Sequence, residues 1–356
     1  MNHPHNARDS SRTVRCSLHV LLPLLGGMLL LAVIVSAGMG YVRLSFTEVA
    51  TILASKLFAA PDWIAGMDPL LPTVVMEVRL PRILCAAVVG GGLAVSGVIF
   101  QGILLNPLAD PYTLGISAGA AFGASLALLL NLGAMTLWSV PLFAFLGAAV
   151  TLALVVYLSA SAGGFSSNNL ILSGIIVAAI LSAGISFLKY LADEQVAVII
   201  FWLMGSFASR TWSDVGMTTM ALCLGMAVFV FYARDLNLIS LGRRSAASLG
   251  VDTRRTPLVL LVTASLVAAV CVCVSGIIGF VGLLVPHMMR SLTGPDNRRL
   301  VPVSTLAGAI LLLCADTVTR AVLPSEIPIG VLTALIGGPF FCYIFRRRQA
   351  GFGQGA

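Results

Sequence analysis

The chain has 356 residues, of which 58% are hydrophobic and only 10% charged, and its mean hydropathy is +1.01. Soluble domains carry about 25% charged and about 45–50% apolar residues, so the composition excludes a soluble enzyme and a disordered tail. The net charge of +7 arises from 21 basic and 14 acidic residues, too few for a nucleic-acid-binding face. In a membrane chain a basic excess sets orientation instead.

A hydrocarbon core of ~30 Å takes about 20 apolar residues per helix. Runs of that kind cover residues 18–41, 83–105, 114–133, 137–162, 169–191, 215–233, 257–289, 300–323 and 327–345. The alternation of an outer-membrane barrel is absent, so the fold class is all-α, a polytopic membrane protein. In the first run, Val35-Ser36-Ala37 resembles a signal-peptide cleavage site. The apolar stretch exceeds the ~7–15 residues of a signal core, however, and we read it as a retained span.

Asn106-Pro107-Leu108-Ala109-Asp110-Pro111 then forms a rigid turn after the second run. Gly115, Gly119 and Gly123 recur every four residues and give the third run a smooth face for close helix packing; lining a moving interface is the alternative. The apolar segment 195–207 is too short to cross and reads as a helix lying in the interface, with Trp202 and Trp212 at headgroup level.

The run 257–289 contains no Asp, Glu, Lys or Arg, and as one helix it would reach ~50 Å. Arg254 and Arg255 precede it and Arg290 follows, so both ends belong on the basic, cytoplasmic side and the run must cross twice. The break is readable at Gly276 to Gly282, with a short second crossing. Ten spans result, with both termini cytoplasmic. The domain organisation is a tail over 1–17, one transmembrane domain over 18–345 containing a charged cytoplasmic loop at 234–255, and a tail over 346–356. On this threading the cytoplasmic segments hold twice as many basic residues as the outer ones.

The charged loop reads as one or two short helices, with Ser240 capping the first and Gly250 ending the last. A short amphipathic helix just outside the membrane suits a groove on a cytoplasmic protein; an interfacial linker is the plainer reading. The seven cysteines fall mostly in apolar runs without a CxxC pair and read as small buried hydrophobes, not metal ligands. His287 and Asp316 are the intramembrane ionisable candidates, and both read as structural hydrogen-bonding residues. No Gly-x-x-x-x-Gly-Lys-[Ser/Thr] loop is present, so the chain does not cradle a nucleotide in that way.

The chain resembles the FecCD-type permeases, the membrane subunits of ABC importers for iron–siderophore complexes, haem and cobalamin. The resemblance rests on Arg79-Leu80-Pro81-Arg82, Ser96-Gly97 through Gln101, Asn106 to Pro111, and Leu114 to Gly119. It continues through Trp202-Leu203-Met204-Gly205, Leu241-Gly242, Ser248-Leu249-Gly250-Val251, Gly279 to His287, Arg320 and Glu326 to Ala334.

The resemblance implies a permease subunit that imports an iron(III)–siderophore or similar metal chelate, with haem or cobalamin as alternatives. It implies a second permease copy, two ATPase subunits on separate chains and a periplasmic or lipid-anchored substrate-binding protein. The permease itself has no catalytic residue, metal or cofactor. By motif match, Arg79, Arg82 and Arg320 receive carboxylates of the binding protein; for Arg79 and Arg82 the competing reading is snorkelling to lipid phosphates. The segment holding Leu241, Gly242, Arg243, Arg244, Ala247, Leu249 and Gly250 matches the helices that sit on the ATPase. The turn from Ser161 to Asn169, including Ser166 and Ser167, falls at the family's cytoplasmic gate.

Two features depart from the family pattern. Arg243-Arg244 stand where relatives often carry acids, and the stretch from Arg320 to Glu326 is one residue short. A secondary carrier with no ATPase and a membrane scaffold are the rival classes. The scarcity of intramembrane ionisable residues weighs against the first.

Overall fold

The computed structural model describes residues 17–40, 44–132, 138–161, 166–321 and 326–352, and among these there are helices and no strand. In chain order they are α1 Leu18–Gly38, α2 Phe46–Leu57, α3 Leu70–Leu104, α4 Ile116–Leu129, α5 Ser139–Ser161, α6 Ser167–Leu191 and α7 Val196–Leu203. They continue as α8 Trp212–Ser240, α9 Arg243–Ser248, α10 Arg255–Ser275, α11 Val281–Thr293, α12 Asn297–Ala321 and α13 Ile329–Phe352. Seven of these (α1, α3, α5, α6, α8, α10 and α12) are long and apolar enough to cross a membrane. The apolar helix α4, the apolar part of α13 and the 13-residue α11 are shorter. With those three, the apolar helices fall where the ten expected spans do.

The centre of the bundle is α3, packed against α8, α10, α11 and α12. From Ile83 to Phe100 it is apolar on every face, as an enclosed helix segment must be, and residues such as Cys85, Val89, Leu93 and Phe100 are buried. Small residues let its neighbours approach. A Cβ on Gly90 would strike the Gly308 carbonyl of antiparallel α12, and a Cβ on Gly308 would strike the Gly90 carbonyl. By contrast α5, α6 and α8 expose large apolar side chains such as Leu146, Ile180 and Phe231, the pattern of helices whose outer faces meet lipid tails. The expected glycine stripe packs α4 on α5: Gly119 abuts Thr151 and the Gly147 carbonyl, and Gly123 abuts the Phe143 carbonyl.

The break in the run 257–289 is present. α10 stops at Ser275, Gly276 adopts φ +72°, and α11 begins after Phe280 at φ +68°. Segment 195–207 contains only the eight residues of α7, too short to span.

Several boundaries differ from expectation. The second apolar run, expected over 83–105, belongs to a longer helix: α3 begins at Leu70 and passes through a π-helical segment, Val74–Arg79. Pro81 has no N–H, and inside a regular α-helix it would also clash with the carbonyl four residues earlier. The wider π turn, in which Leu80 N–H reaches the Val75 carbonyl, ends at that point. Arg79 and Arg82 therefore sit within a helix and not at an N-terminus that their charge would oppose.

Ser240 caps nothing at a helix start. α8 runs through it, and its hydroxyl donates to the Asn237 carbonyl at 2.6 Å. The expected tail at 346–356 begins as helix, since α13 extends to Phe352. Of the described cysteines, Cys85, Cys271 and Cys273 are buried but Cys223, Cys314 and Cys342 are exposed on the bundle surface, and none is paired.

Candidate functional sites at the two ends of the bundle

At one end the three arginines singled out in the sequence converge. Arg82 of α3 places Nε 3.1 Å from both carboxylate oxygens of Asp316 on α12, and its Nη2 lies 2.9 Å from Oδ1. Its Nη1 reaches Glu326 at 3.1 Å. One planar guanidinium thus bridges two carboxylates and grips Asp316 through its Nε/Nη2 fork, which a Lys ammonium lacks. Arg320, one turn beyond Asp316, donates to the Met39 and Ser36 carbonyls at 2.7 and 2.9 Å and to Ser36 Oγ at 2.8 Å. Arg79 donates to the Ala37 carbonyl at 2.7 Å. The last residues of α1 therefore gather Arg79 and Arg320, and Gly40 lies against both guanidinium groups.

The three cations are largely covered, with Arg82 and Arg320 side chains 11% and 8% exposed, whereas Glu326 is 53% exposed. A cavity of about 180 Å³ opens beside Arg82, walled by Phe201, Gly205, Asp316, Glu326 and Pro328. The sequence reading found the arginines but missed that Asp316 and Glu326 pair with Arg82. The signal available was Asp316 lying four residues before Arg320 on one helix face.

At the other end α9 stands on a small core of its own. Ala246 and Val251 pack with Ile239 at the end of α8. Gly250 at φ +84° closes α9 with a Schellman motif, in which Gly250 N–H meets the Ala247 carbonyl at 3.0 Å and Val251 N–H the Ala246 carbonyl at 3.1 Å. The stop expected at Gly250 is thereby present. Leu241 and Leu249 point outward at 67% and 61% exposure. Ala247 and the arginines 243, 244, 254, 255, 298 and 299 are exposed around them. Nearby Asp252 is held below the usual carboxylate range by the N–H groups of Arg255 and Arg254.

Ser166 caps α6, its Oγ accepting from Asn169 N–H at 3.2 Å, and Ser167 is the first residue of that helix. Residues 162–165 of that turn lie outside the described residues. In the 105–115 turn, Asp110 Oδ1 accepts the N–H groups of Tyr112 and Thr113 at 3.1 and 3.0 Å. Burial nevertheless pushes its carboxyl up to about 6. Among the described residues no group of three His, Cys, Asp or Glu stands ready for a metal.

The sequence matches the FecCD transport family over residues 28–347. A cobalamin import system permease of Halobacterium salinarum is 42% identical over 285 residues, 80% of this chain and 76% of that one. A molybdate import system permease of Haemophilus influenzae is 39% identical over 334 residues, 92% of this chain and 96% of that one. The fold also matches a solved inward-facing structure of a metal-chelate type ABC transporter with a TM-score of 0.80 and 36% identity, covering 92% of this chain and 99% of the other. A helical bundle that matches the family over residues 28–347 and aligns over 92% of its length with an ABC transporter is itself such a permease: the chain belongs to the FecCD transport family and is an ABC importer permease subunit.

Proposed function

We propose that this permease carries an iron(III)–siderophore or similar metal chelate across the cytoplasmic membrane, with haem and cobalamin as the alternatives. It works between a substrate-binding protein at the arginine end and two separate ATPase subunits at the α9 end, and it pairs with a second permease copy. The observation that carries the reading is the arrangement of α9. Two exposed leucines, Leu241 and Leu249, flank a short helix that is anchored through Ala246, and Arg243, Arg244, Arg254 and Arg255 on the same loop are exposed as well. Such a surface suits an apolar groove with an acidic rim. With both termini cytoplasmic, α9 faces the compartment that holds ATP.

At the opposite end, Arg79, Arg82 and Arg320 are read as the receiving residues for carboxylates of the binding protein. Glu326, half exposed on Arg82, occupies the place where a carboxylate pairs with that guanidinium. Ser166 and Ser167 mark the proposed cytoplasmic gate. ATP-driven movement of α9 alternates the cavity between outward- and inward-open states.

The test is reconstitution of the chain with its ATPase and binding protein in liposomes, offering ferric siderophore, haem, cobalamin and molybdate in turn. Uptake of a metal chelate that needs ATP and both partners supports the reading. Uptake driven by an ion gradient through the permease alone refutes it.

A further inference from the structure

We propose that Asn237 is the positioning residue that ties movement of α9 to α12, and so joins the two ends of the permease through one helix. The proposal rests on the reading of α9 as the ATPase contact.

Asn237 sits in the last turn of α8, and its side-chain amide bridges to the start of α12. Its Nδ2 donates to Asp296 Oδ1 at 2.7 Å. Its Oδ1 accepts from Asn297 N–H at 2.9 Å and from Asn297 Nδ2 at 2.8 Å. Asp296 in turn receives the Arg298 N–H on Oδ1 at 3.0 Å, and the Leu300 N–H on its carbonyl at 2.9 Å. The amide therefore engages both the residue that caps α12 and the first residue of that helix, which is buried. Two residues further along α8, Ile239 is the anchor on which Ala246 and Val251 hold α9.

A push on α9 thus reaches Ile239 through packing, and Asn237, in the same turn of α8, passes it to the N-terminus of α12 through hydrogen bonds. α12 runs ~35 Å from Asn297 to Arg320, along α3, and at its far end carries Asp316 and Arg320. Hydrogen bonds suit this junction better than apolar contact. They fix direction and register, and a side-chain amide both donates and accepts, so one residue holds two partners.

The test uses the assembled transporter with its ATPase and binding protein in liposomes, reading cargo moved and ATP hydrolysed in the same sample. Asn237→Asp sets a carboxylate against Asp296 and removes the donor. Asp296→Asn keeps both an acceptor for Asn237 and a competent cap. The swap Asn237→Asp with Asp296→Asn restores the bond with its polarity reversed. We expect cargo per ATP to fall about five-fold or more in Asn237→Asp, to hold in Asp296→Asn, and to return in the swap.

Hydrogen–deuterium exchange provides a second readout that does not depend on transport. Protection of α9 and of the first turn of α12 should fall together in Asn237→Asp and recover together in the swap. An unchanged cargo-to-ATP ratio in Asn237→Asp, or a swap no better than that single variant, overturns the proposal. So does protection that changes at α12 alone. Absence of ATP-dependent uptake by the unaltered chain would instead refute the assigned function, while the exchange measurement still decides whether the clamp exists.

Discussion

Arg82 and Asp316 form a nearly enclosed ion pair between α3 and α12, with Nη2 and Oδ1 2.9 Å apart and Asp316 only 2% exposed. Asp316 also lies within 4.0 Å of Arg320 Nε, so one carboxylate stands between two guanidinium groups. Desolvating such charges is costly, and removing one partner leaves the other buried without compensation. Asp316→Ala should therefore destabilise the folded chain by about 3–5 kcal/mol, seen as a lower midpoint of thermal unfolding in detergent. Replacing the pair together, as Arg82→Met with Asp316→Leu, should cost well under the sum of the single changes. Additive losses would show that the pair is not coupled.

Asp110 makes a pH prediction in the turn between α3 and α4. Burial raises its carboxyl from 3.8 to about 6, against the opposing pull of the Thr113 and Tyr112 N–H groups. The folded form thus holds its proton more tightly than the unfolded chain does. Its contribution favours folding at pH below about 4 and is lost as pH rises through about 6, so that roughly 3 kcal/mol of penalty is present at neutral pH. Asp110→Asn keeps the Oδ1 acceptor and removes the charge. The variant should melt above the parent at pH 8, and its advantage should shrink toward pH 5. A constant difference across that range would mean that Asp110 does not titrate there.

Much of this architecture is legible from residue patterns because lipid imposes one rule on every span: apolar for about 20 residues, with backbone bonds closed internally. The helix break within 257–289 followed from length and flanking arginines alone. What escaped depends on contacts across the fold. The extension of α3 back to Leu70 was hidden because a single sequence shows the missing N–H of Pro81 but not the π turn that tolerates it. Glu326 gave no local signal, since it lies outside any helix and its partner Arg82, on α3, is 244 residues away in sequence. The Asn237 clamp was hidden for the same reason: an asparagine near a helix end has a dozen ordinary explanations until Asp296 and Asn297 are placed beside it. The candidate residues were thus found by type, and their connections only by topology.

The crossing of α3 and α12 is set by backbone contact at Gly90 and Gly308, where either added Cβ would meet the opposite carbonyl. Gly308→Val should push the helices apart and cost about 1–3 kcal/mol or more, with reduced yield of folded protein on size exclusion in detergent. Gly26→Val in α1 is the matched control, because a Cβ there meets nothing within 4 Å. Equal losses in both would mean that a β-branched residue in a helix, and not the crossing, is responsible.

The outward leucines of α9 separate stability from assembly. Leu249, the residue that follows α9, is 61% exposed, while Ala246 within that helix is fully buried against Ile239. Leu249→Ser should leave unfolding within about 0.5 kcal/mol of the parent, as surface changes do. If α9 enters an apolar groove on the ATPase, the same change should weaken that association by about 2 kcal/mol, close to thirty-fold in dissociation constant. Ala246→Glu should instead destabilise the junction itself, by forcing a charge into the core formed with Val251. Titration of purified ATPase against the detergent-solubilised permease distinguishes them: Leu249→Ser binds weakly yet melts normally, whereas Ala246→Glu loses both. Normal ATPase affinity when Leu241→Ser is combined with Leu249→Ser would remove α9 from the interface, because these two leucines are the large apolar side chains exposed beside that helix.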